Sequence, residues 1–152
     1  MTRVHVLDRE QIVPGERGAV FAFFKNPYNL ERITPPWLRF QVESATDTEV
    51  RAGTRIAYAL RWQGIPMSWS TLISEYEEGV RFADTMTRGP YRLWHHTHTF
   101  EPLDQGVLMK DRVEYALPFG PAGTLVHALI VRRQLDAIFD YRFRAIADIF
   151  GG

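Results

Sequence analysis

The sequence predicts an α+β domain in which a curved, seven-stranded antiparallel sheet wraps around a long C-terminal helix. Three observations predict this fold class. Between residues 38 and 117, apolar and polar side chains alternate with a period of two, and turn-forming residues interrupt the pattern at short intervals. Between residues 124 and 150, apolar side chains instead recur every three or four positions, which is typical of an amphipathic helix. Residues 1–152 contain no repeat, linker or low-complexity segment, so we expect a single domain.

The first elements are predicted to be one strand and two short helices. Residues 3–13 alternate over a short range and precede Pro14-Gly15, as expected of a strand that ends there. Residues 15–26 place apolar side chains at helical spacing, and Asn26-Pro27 ends that helix. Residues 27–34 then predict a second short helix with a proline in its first turn.

Six strands follow the two short helices. Turn-forming residues such as Gly53, Gly64 and Gly79 separate them, and consecutive strands joined by short turns are typical of an antiparallel meander. The predicted strands cover residues 38–46, 55–62, 65–76, 80–86, 91–100 and 107–117.

The last element is one long helix over residues 124–150, which completes the order β-α-α-β6-α. A sheet that curls around such a helix forms a helix-grip fold. Because the curvature of the sheet and the diameter of the helix do not match, we expect a cavity between them. The apolar stripe predicted to face the sheet consists of Leu125, Leu129, Leu135, Phe139, Phe143, Ile146 and Phe150.

The composition argues against several classes of function. With 18 basic and 18 acidic residues, the chain lacks the positive excess of a nucleic-acid-binding protein. The absence of cysteine excludes thiol catalysis, thiolate zinc sites and disulfides. No apolar run approaches the ~20 residues that span a bilayer. The charged N-terminus does not resemble a secretion signal, so we expect no membrane insertion and a cytoplasmic location.

The segment "GPYRLWHHTHTFEP" (residues 89–102) holds three of the five histidines. Side chains on a strand point alternately to the two faces of the sheet, so His95 is separated from His96 and His98. The face that carries large rings fits the concave side better, which predicts that His95 and Tyr91, on the other face, point outward. The inward face is predicted to carry Trp94, His96, His98 and Phe100.

The same parity argument places a carboxylate beside these histidines. In the next strand the odd positions are apolar, so Met109, Val113 and Tyr115 should face inward, and Asp111 with them. A tight turn joins the two strands, and antiparallel pairing then sets Asp111 opposite His96 or His98. Facing Cβ atoms in such a pair are about 5 Å apart.

A histidine beside a carboxylate has several chemical uses. The pair can act as a general acid and base, bind the polar end of an apolar ligand, or simply satisfy its own hydrogen bonds. A metal site is the remaining alternative, with His96, His98 and Asp111 as ligands of zinc or iron. Since no further inward histidine is evident, we assign no metal. We assign no catalytic residue either, because structural His–Asp pairs also perturb pKa values, and we assign no cofactor.

Aromatic residues of the inward faces are predicted to line the cavity, although each can equally well belong to the core. Together with the polar group, they make up the predicted ligand-binding set: Tyr58, Trp62, Trp69, Trp94, His96, His98, Phe100, Asp111 and Tyr115.

Four segments carry a resemblance to a known superfamily: "NLERITPPWLRF", "GPYRLWHHTHTFE", "DRVEYALPFGPAG" and "IFDYR". With the order of elements, they resemble SRPBCC (START and birch-pollen-allergen-like) proteins. The chain is most similar to the bacterial single-domain ligand-binding branch near the polyketide cyclases and dehydrases. The resemblance implies the helix-grip fold and a cavity that takes lipids, sterols, hormones or polyketides. It implies no catalytic residue set for this branch.

Three functions are compatible with these observations. The first is binding of a small, mainly hydrophobic molecule that is lipid-like, aromatic or polyketide-like. The second is a cofactor-independent polyketide cyclase or dehydratase in which a His–Asp pair moves protons. The third is an interaction module whose cavity is collapsed. Neither nucleic acid nor a membrane is an expected partner. A homodimer is compatible with the sequence.

Overall fold

A computed structural model describes residues 3–62, 64–118 and 120–151. It contains seven strands, two α-helices and two short 3-10 helices. The strands are β1 (His5–Val13), β2 (Gln41–Ala45), β3 (Arg55–Trp62), β4 (Ile65–Glu77), β5 (Arg81–Arg88), β6 (Leu93–Leu103) and β7 (Gly106–Ala116); the α-helices are α1 (Arg17–Phe24) and α2 (Gly120–Phe150), and the 3-10 helices are Pro27–Arg32 and Pro36–Leu38.

The strands form one antiparallel sheet in the order β1-β7-β6-β5-β4-β3-β2. The six strands after the short helices pair as a meander, and β1 adds to the far side of β7. The long helix α2 packs across one face of this sheet, where Leu135 and Phe139 join Val113 and Leu7 in an apolar cluster. The predicted fold class, a helix-grip arrangement of seven antiparallel strands and a C-terminal helix, is confirmed.

A second apolar cluster fills the other end of the sheet. It is built around Phe21 and Phe24 of α1, which meet Phe100 of β6 with ring centroids 5.0 and 5.6 Å apart. The C-terminal part of α2 contributes Ile146, which is 1% exposed. Two filled ends therefore hold the helix against the sheet and leave the middle less densely packed.

The boundaries of several elements differ from those predicted. Residues 27–34 form a 3-10 helix over Pro27–Arg32, whose start is capped by the Asn26 side chain. Leu38 belongs to the second 3-10 helix, and the first strand of the meander begins only at Gln41. The reason is the pair of prolines at 35 and 36, which tightens the chain into another turn. The helix α2 starts at Gly120, four residues earlier than predicted.

The apolar stripe of α2 is also different. Leu125, Leu129 and Phe143 were expected to face the sheet, but they are 71%, 69% and 49% exposed. The face that does contact the sheet follows Val131, Leu135, Phe139, Arg142 and Ile146, all of them buried. The prediction was wrong at 143 because hydrophobicity favoured phenylalanine over its charged neighbour. Among the described residues, no helix is long and apolar enough to span a membrane.

We expect Gly106→Ala to destabilise the fold. Gly106 opens β7 at a positive φ of 143°, and a Cβ there would collide with the Val13 carbonyl oxygen of β1. The control is Gly18→Ala in α1, where an added Cβ meets nothing. That change should stabilise by roughly 0.5–1 kcal/mol. Urea denaturation of both variants checks this, and equal midpoints would contradict it.

Candidate functional site

A cavity of about 170 Å³ lies between the sheet and α2. Its wall is mostly apolar and aromatic, with a polar end formed by Asp84, His96, His98 and Arg142. The strands β3 to β6, the 3-10 helices and α2 all contribute. The remaining lining residues are Phe24, Pro27, Leu30, Ile33, Thr34, Leu38, Phe40, Val50, Ile56, Tyr58, Leu60, Trp62, Trp69, Ile73, Phe82, Tyr91, Trp94, Leu135, Ile138 and Phe139.

The structure brings six of the nine residues of the predicted set to the cavity wall, and three lie elsewhere. Phe100 is buried in the second apolar cluster, beside Phe21 and Phe24 of α1. Tyr115 stacks on His5, with ring centroids 5.2 Å apart. Asp111 lies behind His96 and touches the cavity only through other side chains. The six on the wall are Tyr58, Trp62, Trp69, Trp94, His96 and His98.

Three aromatic rings form one side of the cavity. The Trp69 and Trp94 rings meet edge to face at 5.2 Å, and Tyr91 lies 4.9 Å from Trp94. Tyr91 was predicted to face outward by strand parity. That prediction was wrong, because β6 begins only at Leu93 and Tyr91 lies in the preceding bend, where alternation does not apply.

The polar end belongs to a hydrogen-bonded cluster centred on Asp111, which lies behind the cavity wall. His98 lies directly opposite Asp111 in the β6–β7 register, which is one of the two pairings that parity predicted. His96 Nε2 is 2.8 Å from Asp111 Oδ1, and His98 Nδ1 is 3.3 Å from the same oxygen. Arg142 Nη2 donates to this oxygen as well, at 3.2 Å. On its other side, His98 Nε2 is 2.9 Å from Asp84 Oδ2.

Two members of this cluster were not found from the sequence. Asp84 lies in β5 opposite His96, and the alternation of that short strand could have assigned it to the inward face. Arg142 is 7% exposed on the buried face of α2. Its only sequence signal is its spacing of three residues from Phe139, which was outweighed by the expectation that arginine faces solvent.

The electrostatics of the cluster favour the ionised form of both carboxyls. Burial alone would raise the pKa of Asp111, but the Arg142 guanidinium and the two imidazoles hold it well below its usual value. Burial also opposes the charged form of Asp84, yet hydrogen bonding to His98 lowers its pKa overall. Both carboxyls are therefore ionised near neutral pH.

The two histidines respond in opposite directions. Burial disfavours the charged form of His98, but hydrogen bonds to Asp111 and Asp84 outweigh this and raise its pKa. Burial and the nearby His98 lower the pKa of His96, although Asp111 acts against them. The rings stack with centroids 3.8 Å apart, so both cannot easily be charged. Both ring nitrogens of His98 lie within 3.3 Å of a carboxylate oxygen, so this environment favours the imidazolium form at His98 and the neutral form at His96.

The neutral His96 has a defined tautomer. Because Asp111 is ionised and can only accept, His96 must carry its hydrogen on Nε2. Nδ1 is then an acceptor, and it has no hydrogen-bond partner among the described residues. The cluster therefore presents a free, weakly basic nitrogen on a residue that lines the cavity.

A metal ion would compete with this network. Asp84, His96 and His98 each offer one ligand atom, and these atoms lie within 4.8 Å of one another. The carboxylate of that group is Asp84 and not Asp111, the residue named in the sequence-based alternative. His98 would first have to lose a proton held by two carboxylates, with the Arg142 cation 3.4 Å away. These groups fit a closed ion network better than a cation site.

His95 lies on the opposite face of β6, as parity predicted. Its Nδ1 is 2.7 Å from Thr85 Oγ1, and its Nε2 is 3.3 Å from Glu75 Oε2. These partners account for both ring nitrogens, so His95 does not contribute to the cavity.

The fold and the cavity together define a helix-grip protein of the SRPBCC type. The profile of the family described as polyketide cyclase / dehydrase and lipid transport matches residues 13–140, and the chain belongs to this family. The sequence-based assignment to that superfamily is confirmed. Membership supports a role in binding a hydrophobic ligand or in cyclisation. No curated protein sequence matches the chain.

Solved structures with the same fold include bacterial and plant proteins. A protein from Chromobacterium violaceum is 14% identical over 97% of both chains, with a TM-score of 0.72. Ginseng major latex-like protein 151 from Panax ginseng is 14% identical to this chain. The alignment covers 88% of this chain and 96% of the ginseng protein, with a TM-score of 0.59. The di-domain ARO/CYC StfQ from the steffimycin biosynthetic pathway is 13% identical over 94% of this chain and 49% of its own, with a TM-score of 0.71. At these identities the likeness shows the fold alone.

We expect Asp111→Asn to lower the free energy of unfolding by about 3–5 kcal/mol, because it leaves buried cations without their carboxylate. Asp8→Asn is the control, since the ion pair of Asp8 with Arg112 is exposed. That change should alter stability by less than about 1 kcal/mol. Chemical denaturation near neutral pH measures both. A similar small effect at the two positions would mean that Asp111 does not offset the buried positive charge of Arg142 and His98.

The imidazoles of His96 and His98 should titrate on opposite sides of the ordinary pKa of 6.5. In a ¹H–¹³C NMR titration, His98 should lose its proton at a pH above 6.5, and His96 should lose its proton at a pH below 6.5. The variants His96→Gln and His98→Gln assign the two signals. Stability contributed by His98 is fully present below its unfolded-state pKa and is lost as the pH rises through the folded value. Coincident titration of both rings would contradict this electrostatic description.

Proposed function

We propose that this protein binds a small, mainly apolar ligand in the cavity between the sheet and α2. The observation that carries the proposal is an aromatic-lined space that the side chains leave unfilled, with hydrogen-bonding groups at only one end. Ligand sites commonly combine an apolar wall with a few fixed polar groups. The filled apolar clusters at either end of α2 hold this space open.

The size of the cavity limits the ligand. A space of about 170 Å³ is comparable to engineered apolar cavities of about 150 Å³ that take up benzene. A single aromatic ring with a short substituent, or a short acyl chain, fits this volume. Trp62, Trp69 and Trp94 would contact such a ligand, so their fluorescence provides a direct signal of binding.

A second function, proton transfer during cyclisation or dehydration, is favoured by one observation. His96 is neutral, is held by Asp111 through Nε2 and keeps Nδ1 free. Such a nitrogen can remove a proton from carbon next to a carbonyl, while Arg142 hydrogen-bonds to the enolate oxygen. If the protein is an enzyme, His96→Gln abolishes turnover, whereas a purely binding role predicts a change in affinity alone.

We expect Leu60→Trp to block ligand binding. Leu60 lines the cavity but is only partly buried, so a larger ring can enter the space without displacing the core. Toluene should change the tryptophan fluorescence of the wild type. Titration calorimetry should show that toluene binds far more weakly to the variant than to the wild type. Native mass spectrometry of the wild type, purified from cells, should also show a retained small molecule.

The matched control is Leu108→Trp, which makes the same substitution at a β7 position outside the cavity. It should bind toluene as the wild type does. If toluene binds neither wild type nor control, or binds Leu60→Trp equally well, then the cavity is not a ligand site.

A further inference from the structure

The polar end of the cavity has unused hydrogen-bonding capacity of both kinds. His96 Nδ1 is an acceptor without a partner among the described residues. Arg142 uses only Nη2 in the cluster, while its Nε is buried and unpaired and its Nη1 makes no hydrogen bond with a described residue. The two side chains are neighbours, because His96 Nε2 and Arg142 Nη2 both bind Asp111 Oδ1, at 2.8 and 3.2 Å.

The charges of the cluster restrict what can bind there. Asp84 and Asp111 favour the negative form, and Arg142 and His98 the positive form. The cluster therefore has no net charge as long as His96 is neutral. These are also the charged groups that face His96 from β5, β6, β7 and α2. A ligand that brought a bare negative charge would leave it uncompensated in an apolar enclosure, which is strongly unfavourable.

One class of head group meets both conditions. A carboxylic acid carries an O–H donor and a carbonyl acceptor side by side, and it is neutral as a whole. Its O–H matches the free His96 Nδ1, and its carbonyl oxygen matches Nη1 of Arg142, because the unpaired Nε is buried away from the cavity. A proton that moved from the acid to His96 would leave the same net charge, now as a carboxylate between an imidazolium and a guanidinium.

We propose that the ligand is a small apolar carboxylic acid, and that it enters the site together with one proton shared with His96. This deepens the binding function proposed above and rests on it. An acid of this kind is ionised in water near neutral pH, so each molecule bound takes up one proton from the solvent. The hydrocarbon part, about one aromatic ring in size, occupies the aromatic end of the cavity.

Calorimetry with benzoate tests the proposal, with toluene and methyl benzoate as controls of similar shape. Near neutral pH, titrations in phosphate and in Tris buffer separate the protons exchanged from the heat of binding, because the two buffers differ in ionisation enthalpy. We expect benzoate to take up one proton per molecule bound and the two neutral probes to take up none. Benzoate should bind at least roughly tenfold more tightly than methyl benzoate, which lacks the O–H donor.

Two variants identify the groups responsible. His96→Gln retains an N–H donor for Asp111 but no basic nitrogen, so benzoate should lose its proton uptake and bind roughly tenfold more weakly. Arg142→Lys keeps the buried positive charge but loses the guanidinium, and it should weaken benzoate more than toluene. In both variants the affinity for benzoate should fall relative to that for toluene, whereas Leu108→Trp, outside the cavity, should keep the wild-type ratio of the two affinities.

The outcomes separate this proposal from the one it rests on. Toluene binding that Leu60→Trp blocks, combined with benzoate that binds no better than methyl benzoate or takes up no proton, would overturn the acid assignment and leave the hydrophobic site standing. If none of the three probes binds, the cavity function itself fails.

Discussion

The buried carboxylate of Asp111 is the constraint on which this site depends. It lies 10% exposed under α2, and an ionised group at such a position requires compensation. Three donors from two elements provide it, all directed at Oδ1: two imidazoles of β6 and the guanidinium of α2. Because the helix must bring Arg142 to the sheet, the rotation of α2 about its axis is fixed. That rotation explains why Phe143, one position further, is left in solvent.

The same constraint shapes the cavity. The ion cluster occupies the middle of the sheet, next to Phe139 and Leu135 on the cavity wall. Hydrogen-bonded side chains of fixed geometry cannot collapse into neighbouring space as aliphatic ones do. Apolar clusters fill both ends of the sheet, so unoccupied volume remains beside the polar group. Cavity and cluster are thus two consequences of placing charges on the concave face.

The sequence predicted the fold and half of this chemistry. Alternation located the strands, and parity set Asp111 opposite His96 or His98, because each argument needs only local spacing. Asp84 and Arg142 were missed since their roles arise from tertiary contacts, and propensity places a helical arginine in solvent. Tyr91 was misplaced because parity was carried past the true end of a strand. Charged side chains are usually exposed, and a local sequence pattern cannot show which of them are instead buried beside a partner of opposite charge.

The two histidines of β6 show how position decides chemistry for identical side chains. His98 stands between two carboxylates and is committed to both, so its proton serves the structure. His96 touches one carboxylate, stacks on a charged ring and is therefore kept neutral with a nitrogen to spare. A second charge on the stacked pair becomes acceptable only when an anion arrives with it. His98 thus prepares His96 to respond to a ligand, and this coupling would be lost if either ring were moved one residue along the strand, to the other face of the sheet.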